Sequence, residues 1–272
     1  MHASKRPYIG VTGVEKPDEA EELIRISSER GSGMHMAMLG AQTSYRTIME
    51  VTENTSNITK EAATELYRKV KSIGNNDVML SFHYMTKPLN QIDTNIQNKV
   101  KALVEMPLSE QVSYLIDNIY KDYASSNHNF KIGLQINCKW PNPEEVRKIK
   151  IRYPLAEVVL QVSDFAALPS KLQAYSSVDY ILIDTSRGSG AAFDPFESAQ
   201  IANTIRLLTS GGIVFAGGIS DTNVSSVVGR LRGITGSNLF SIDAQDKLRG
   251  NNGLDMSKAS GYMRRARDSL SG

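Results

Sequence analysis

The chain has 272 residues, 40% of them hydrophobic, with 31 Lys and Arg against 29 Asp and Glu. That length allows a sizeable buried core, and a near-neutral balance without a basic block argues against a nucleic-acid groove. No apolar run approaches the ~18 residues of a membrane span, and the start "MHASKRPYIG" has no apolar signal region. One cysteine, Cys138, excludes an intrachain disulfide framework and fits a reducing compartment. The expected class is a cytoplasmic α/β protein, monomer or homodimer, without nucleic-acid or membrane partners.

Taken in chain order, apolar strand-like runs occur at "YIGVTG" (8–13), "MHMAMLG" (34–40), "DVMLSFHY" (77–84) and "FKIGLQINCKW" (130–140). Four more follow at "AEVVLQVS" (156–163), "DYILIDTS" (179–186), "GIVFAGGIS" (212–220) and "NLFSIDA" (238–244). Helix-like segments lie between most of them. "KPDEAEELIRISSER" has Pro17 near its start and acids in its first turn. "TKEAATELYRKVKSIG" is bracketed by Thr59 and Gly74, a candidate cap at each end. "NPEEVRKIKIRY", "DPFESAQIANTIRLLTSGG", "DTNVSSVVGRLRG" and "DMSKASGYMRRARDSL" read similarly. Alternating strands and helices imply parallel βαβ units, and eight such units predict one (β/α)8 barrel over residues 1–272. "GVTGVEKPDEA" lacks the G-x-G-x-x-G fingerprint, so a dinucleotide-binding sheet is disfavoured.

Two long intervals predict insertions on the face where a barrel carries its chemistry. One follows the second strand, at 41–58; the other follows the third, at 86–129, with an extra helix around "LSEQVSYLIDNIYKDYA". They read as lids, decoration or an oligomer contact.

The stretch "YILIDTSRGSGAAFDP" brings an apolar strand to Asp184 and then turns polar and glycine-rich. A carboxylate at the end of a barrel strand, among apolar neighbours, is expected to have a raised pKa and to suit a general acid. Gly188 and Gly190 would let backbone approach a ligand. "FAGGISDTNV" ends the seventh strand at Gly217 and Gly218, before a helix start that offers N–H groups to a phosphate. "IDAQDKLRG" follows the eighth strand and supplies Lys247 and Arg249. No Cys-x-x-Cys or His-x-x-x-His spacing suggests a metal, and no cofactor motif is present. The expected ligand is a small phosphorylated molecule.

At these residues the chain resembles the phosphoribosylanthranilate isomerase family, the tryptophan-pathway barrel. "IGVTGVEKPDEA" is similar to the family's "CGIT…EDA", and "SYRTI" to its arginine-bearing loop. "LIDTSRGSGAAFDP" is similar to "LLDT…GGSGKTFDW", "AGGISDTNV" to "SGGLNPENV", and the segment from "SIDAQDKLRG" onward to the "VDVSSGVE" ending. The resemblance implies an Amadori rearrangement, in which an aminated phosphoribose opens its ring and becomes an amino-ketose. It implies Asp184 as general acid and Arg46 as partner of a substrate carboxylate, where a guanidinium pairs in two parallel hydrogen bonds. It places the phosphate on Gly188, Gly190, Gly217, Gly218 and the turn of Ala244, Gln245 and Lys247.

The chain departs from the family at three places. The family's base, a cysteine before the first strand's glycine, falls on Ile9 in "YIGVT". The fourth strand's histidine falls on Asn137, a candidate substrate contact, and the phosphate turn "SSG" becomes Gln245-Asp246-Lys247. His83, at the end of the third strand, and Cys138, at the end of the fourth, are the candidate substitute bases; each also reads as a core residue. Three functions stay open: a phosphoribosylanthranilate isomerase-like enzyme, a phosphosugar-binding barrel that has lost catalysis, and another phosphate-binding barrel enzyme.

Overall fold

The computed structural model describes residues 5–29, 33–51, 57–120, 128–138, 140–185 and 193–271. Its first half runs β1 (Tyr8–Thr12), α1 (Pro17–Ser28), β2 (Met36–Ser44), α2 (Tyr45–Ile48), α3 (Lys60–Ile73) and β3 (Val78–Met85). Next come α4 (Thr94–Val104), α5 (Leu108–Ile119), β4 (Lys131–Asn137), α6 (Pro143–Arg152), β5 (Ala156–Val162) and a short α7 (Leu168–Lys171). The chain continues through β6 (Tyr180–Asp184), α8 (Pro195–Leu208), β7 (Gly212–Ala216), α9 (Val224–Thr235) and β8 (Ser241–Ala244). A two-stranded hairpin, β9 (Arg249–Gly250) with β10 (Gly253–Leu254), leads into α10 (Met256–Ser271).

Strands β1 to β8 pair in sequence order, and β1 pairs in parallel with β8, so the sheet closes into an eight-stranded parallel barrel. This is the (β/α)8 architecture that the alternation predicts. Every predicted strand is present; the largest shift of a start is the last, read from Asn238 and found at Ser241. The helix starts follow local chemistry. The Asp194 carboxylate accepts from the N–H groups of Phe196 and Glu197 ahead of α8, and Asn142 caps α6 in the same way at Glu144. Pro143 and Pro195 sit at first helical positions, where a missing N–H costs nothing.

The insertion after β3 is corrected in one respect. The segment expected as the extra helix is α5, which packs between α3 and α6 and so belongs to the barrel's own outer ring. The inserted helix is α4, a helix that the sequence pattern does not predict. The insertion expected at 41–58 begins later than predicted, because β2 runs on to Ser44.

Strand parity decides which residues meet inside. Tyr8, Met36, Met38, Met79, Val159, Tyr180, Leu182 and Val214 form the apolar filling of the barrel. Their neighbours in sequence, among them Ile9, Leu39, Leu80 and Ile181, belong to the separate core between barrel and helices. Towards the C-terminal ends of the strands the inward positions turn polar: Thr12, Gln42, His83, Gln135, Asp184 and Asp243 are all buried. Apolar filling below and a polar layer above gather the barrel's inward polar side chains at the C-terminal ends of its strands, the end where this architecture carries its sites.

Candidate functional site

A cavity of about 220 Å³ opens at the C-terminal end of the barrel. That is below the roughly 300–1,000 Å³ of pockets for drug-sized ligands, so it suits a small polar molecule. Its lining joins Asp184 of β6, Asp243 of β8, Gln42, Gln135, Asn137 and Gln161 to the segments Ala216–Ile219 and Ala244–Lys247. Residues distant in sequence reach it because each ends a strand or begins the loop after one.

Asp184 is only 7% exposed, and Gln161 donates from Nε2 to its Oδ2 at 3.3 Å. Gln161 in turn accepts from Gln135 Nε2 at 3.2 Å. This amide relay across β4, β5 and β6 fixes where the Asp184 carboxyl points.

Asp243, 5% exposed, is the residue that sequence reasoning missed. The Thr12 hydroxyl lies 3.0 Å from its Oδ1 and 3.1 Å from its Oδ2. Burial, with a smaller contribution from the charge of Asp184, raises its pKa to about 7 against the opposing hydrogen bonds from Thr12 and the Ala244 N–H. The carboxyl has room because β1 carries a glycine opposite it: a Cβ on Gly10 would lie 2.6 Å from Asp243 Oδ1. The signal was present in the sequence, since "FSIDA" repeats the pattern of "ILIDT", an acid closing an apolar strand.

The two glycines expected to receive phosphate, Gly217 and Gly218, have φ of 93° and 68°, a region that favours glycine. The turn behind them is tied down by Asn223, which accepts from the Ser220 N–H at 2.8 Å and donates to the Gly218 carbonyl at 2.9 Å. Across the cavity, Ala244 and Gln245 lead into a 3-10 turn at Asp246–Leu248. Lys247 is exposed on the rim. Among the described residues, Lys247 is the cation of the lining and Asp184, Asp243 and Asp246 are its carboxylates. An anionic ligand is therefore held best at the β7–β8 side and when a carboxyl is protonated. Gly188 and Gly190 lie outside the described residues.

The remaining sequence candidates are placed as follows. Asn137 faces the cavity. Arg46 lies on α2 outside the lining, its guanidinium 5.7 Å from the centre of the Tyr45 ring. His83 points inward but is not part of the cavity lining, and it is 2% exposed. Burial lowers its pKa to about 3, so it is neutral at physiological pH and a weak base. Its Nε2 has no hydrogen-bond partner among the described residues. Cys138, one residue past inward-facing Asn137, packs into the outer core, and burial raises its thiol pKa against a hydrogen bond with Thr86. The structure thus places neither candidate base on the cavity lining.

The position assigned to the missing thiol is also corrected. Ile9 is 2% exposed and packs in the outer core, facing away from the barrel interior. The pattern of a residue followed by glycine recurs at Thr12-Gly13, and Thr12 is the one that faces inward. At the mouth beside it, Arg249 donates from Nη2 to Glu15 Oε1 at 3.0 Å and from Nη1 to Gln42 Oε1 at 3.4 Å.

Among the described residues no cluster of three His, Cys, Asp or Glu side chains could hold a metal ion. No described helix is long and apolar enough to cross a membrane.

No protein-family model and no curated protein sequence matches the chain. Solved structures similar to it include N-(5'-phosphoribosyl)anthranilate isomerase from Pyrococcus furiosus, with a TM-score of 0.59 at 14% identity, covering 96% of this chain and 99% of that one. Pyruvate kinase from Pyrobaculum aerophilum has a TM-score of 0.55 at 10% identity, covering 96% and 71%. The carboxyl transferase domain of Rhizobium etli pyruvate carboxylase has a TM-score of 0.52 at 10% identity, covering 98% and 49%. At these identities the likeness is one of fold.

Proposed function

We propose that this barrel is a phosphoribosylanthranilate isomerase-like enzyme, catalysing an Amadori-type isomerisation of a small aminated phosphosugar. The observation that carries this reading is convergence. Asp184, the glycine turn Gly217-Gly218 and the Ala244–Lys247 turn, each singled out from a separate motif, line one cavity at the barrel's C-terminal mouth. The sugar phosphate is held by the β7 and β8 turns, with Lys247 supplying charge and the backbone supplying N–H donors. Asp184, oriented by Gln161, gives its proton to the ring oxygen, and the bond from C1 to that ring oxygen breaks as the nitrogen lone pair forms C1=N. In this reading Asn137 and Gln42, which line the cavity, bond the sugar hydroxyls. Arg46 contacts a substrate carboxylate in this reading only if α2 moves towards the mouth.

A second reading has its own support. Among the described residues, the cavity lining includes no thiol and no imidazole, which favours a phosphosugar-binding barrel without turnover. Fluorescence of phosphoribosylanthranilate separates the two when combined with calorimetry on ribose 5-phosphate. Loss of fluorescence at constant total mass supports the isomerase. Binding of ribose 5-phosphate without conversion supports the binding barrel, and neither result would remove both.

A further inference from the structure

The geometry points to Asp243 as the general base of the isomerisation and to Thr12 as the residue that positions it; this rests on the isomerase reading. The reaction needs a group that removes the C2 proton, and the residues read from sequence do not supply it. Ile9 and Cys138 face the outer core, and His83 is buried outside the cavity lining and barely basic. Asp243 has what they lack. It lines the same cavity as Asp184 and ends a strand on the same face. Its carboxyl is held over Gly10 with both oxygens within hydrogen-bond distance of the Thr12 hydroxyl.

The environment adds the proton affinity. An ordinary aspartate is too weak a base at neutral pH to compete for a carbon-bound proton; one with a pKa of about 7 is matched to the task. The two acids divide the roles in the same cavity. Once Asp184 has opened the ring, the Asp243 carboxylate takes the proton from C2. The C2–H pair forms C1=C2, and the C1=N π pair returns to nitrogen, giving an enaminol. The enaminol then loses its O2 proton to the Asp184 carboxylate. The C2=O bond forms, and C1 takes the proton held on Asp243. Both acids return to their starting protonation and no external reagent is consumed.

The space around Thr12 is also constrained. A Cβ on Gly40 of β2 would lie 2.5 Å from Thr12 Oγ1 and 2.8 Å from His83 Nε2. The hydroxyl therefore sits where a neighbour larger than glycine would displace it, and Asp243 with it.

The test uses the full chain, with phosphoribosylanthranilate for turnover and ribose 5-phosphate in D₂O for exchange at C2, read by NMR. Asp243→Asn should lower kcat on the order of 10²–10⁴-fold, the range for one acid–base group. It should abolish C2 deuterium uptake while ribose 5-phosphate still binds, no more weakly than to wild type. Thr12→Val should move the acidic limb of the kcat/KM profile to higher pH, and Thr12→Ser should restore it. An active wild type with Asp243→Asn within fivefold of it overturns the assignment and leaves the isomerase reading standing. Asp243-dependent exchange without conversion of phosphoribosylanthranilate supports the assignment and overturns the substrate. A wild type showing neither exchange nor conversion overturns both.

Discussion

Thr12 on β1 and Asp243 on β8 meet at the seam where the barrel closes, the hydroxyl 3.0 and 3.1 Å from the two carboxylate oxygens. The contact joins the first strand to the last and places an acid with a pKa of about 7 in the same cavity as Asp184.

Turnover should rise with pH through about 7, because Asp243 must lose its proton to act as base. The Thr12 hydrogen bond favours the ionised form, so its removal raises the pKa. A kcat/KM profile that is flat between pH 6 and 8 would show that Asp243 is not the titrating group.

The same burial has a stability consequence of defined sign. The folded pKa of about 7 lies above the ordinary value of 3.8, so the native chain keeps a proton that the unfolded chain releases between those values. This contribution to stability is present below pH 4 and is lost as pH rises through 7. Asp243→Asn should therefore stabilise the fold more at pH 8 than at pH 4, by a few kcal/mol at the conversion of about 1.4 kcal/mol per pKa unit. Equal changes in denaturant midpoint at the two pH values would contradict it.

His83 has the opposite sign. Burial holds it neutral with a pKa of about 3, against 6.5 in the unfolded chain. Its contribution is present above 6.5 and is lost as pH falls towards 3. Relative to wild type, His83→Met should be more stable at pH 5 than at pH 8, by roughly 1–2 kcal/mol. Urea titrations of both proteins at both pH values give the comparison, which cancels any packing cost of the methionine.

Ile9→Cys should leave turnover within about threefold, because the side chain faces the outer core and a thiol there cannot reach the cavity. A gain of tenfold or more would place that position in the site after all.

Gly218→Val should weaken binding of ribose 5-phosphate at least tenfold by calorimetry. At a φ of 68° a β-branched residue is strained, so the turn must move and carry its N–H groups away from the phosphate. Unchanged affinity would take the β7 turn out of the anion site.

The barrel was legible because its signal is repeated. Eight apolar runs with caps and helix patterns between them constrain one another, and closure follows from their number and direction. Asp184 and Gly217-Gly218 were legible because strand-ending motifs are tied to the catalytic face in this architecture. What the sequence concealed was parity. A one-residue change decides whether a side chain enters the barrel or the outer core. That is why Ile9 was read as a site position when Thr12 is the β1 residue that reaches Asp243, and why Cys138 looked available when Asn137 is the one turned inward. Asp243 is masked by the charged turn that follows it, and α4 by the small number of its buried apolar positions.

The measurement that bears most directly on the central claim is the loss of phosphoribosylanthranilate fluorescence with wild type and Asp184→Asn, assayed side by side at pH 8. The account predicts conversion by the wild type and a loss on the order of 10²–10⁴-fold in the variant, with ribose 5-phosphate still bound by both. Conversion by Asp184→Asn within fivefold of wild type, or no conversion by the wild type at all, would contradict it.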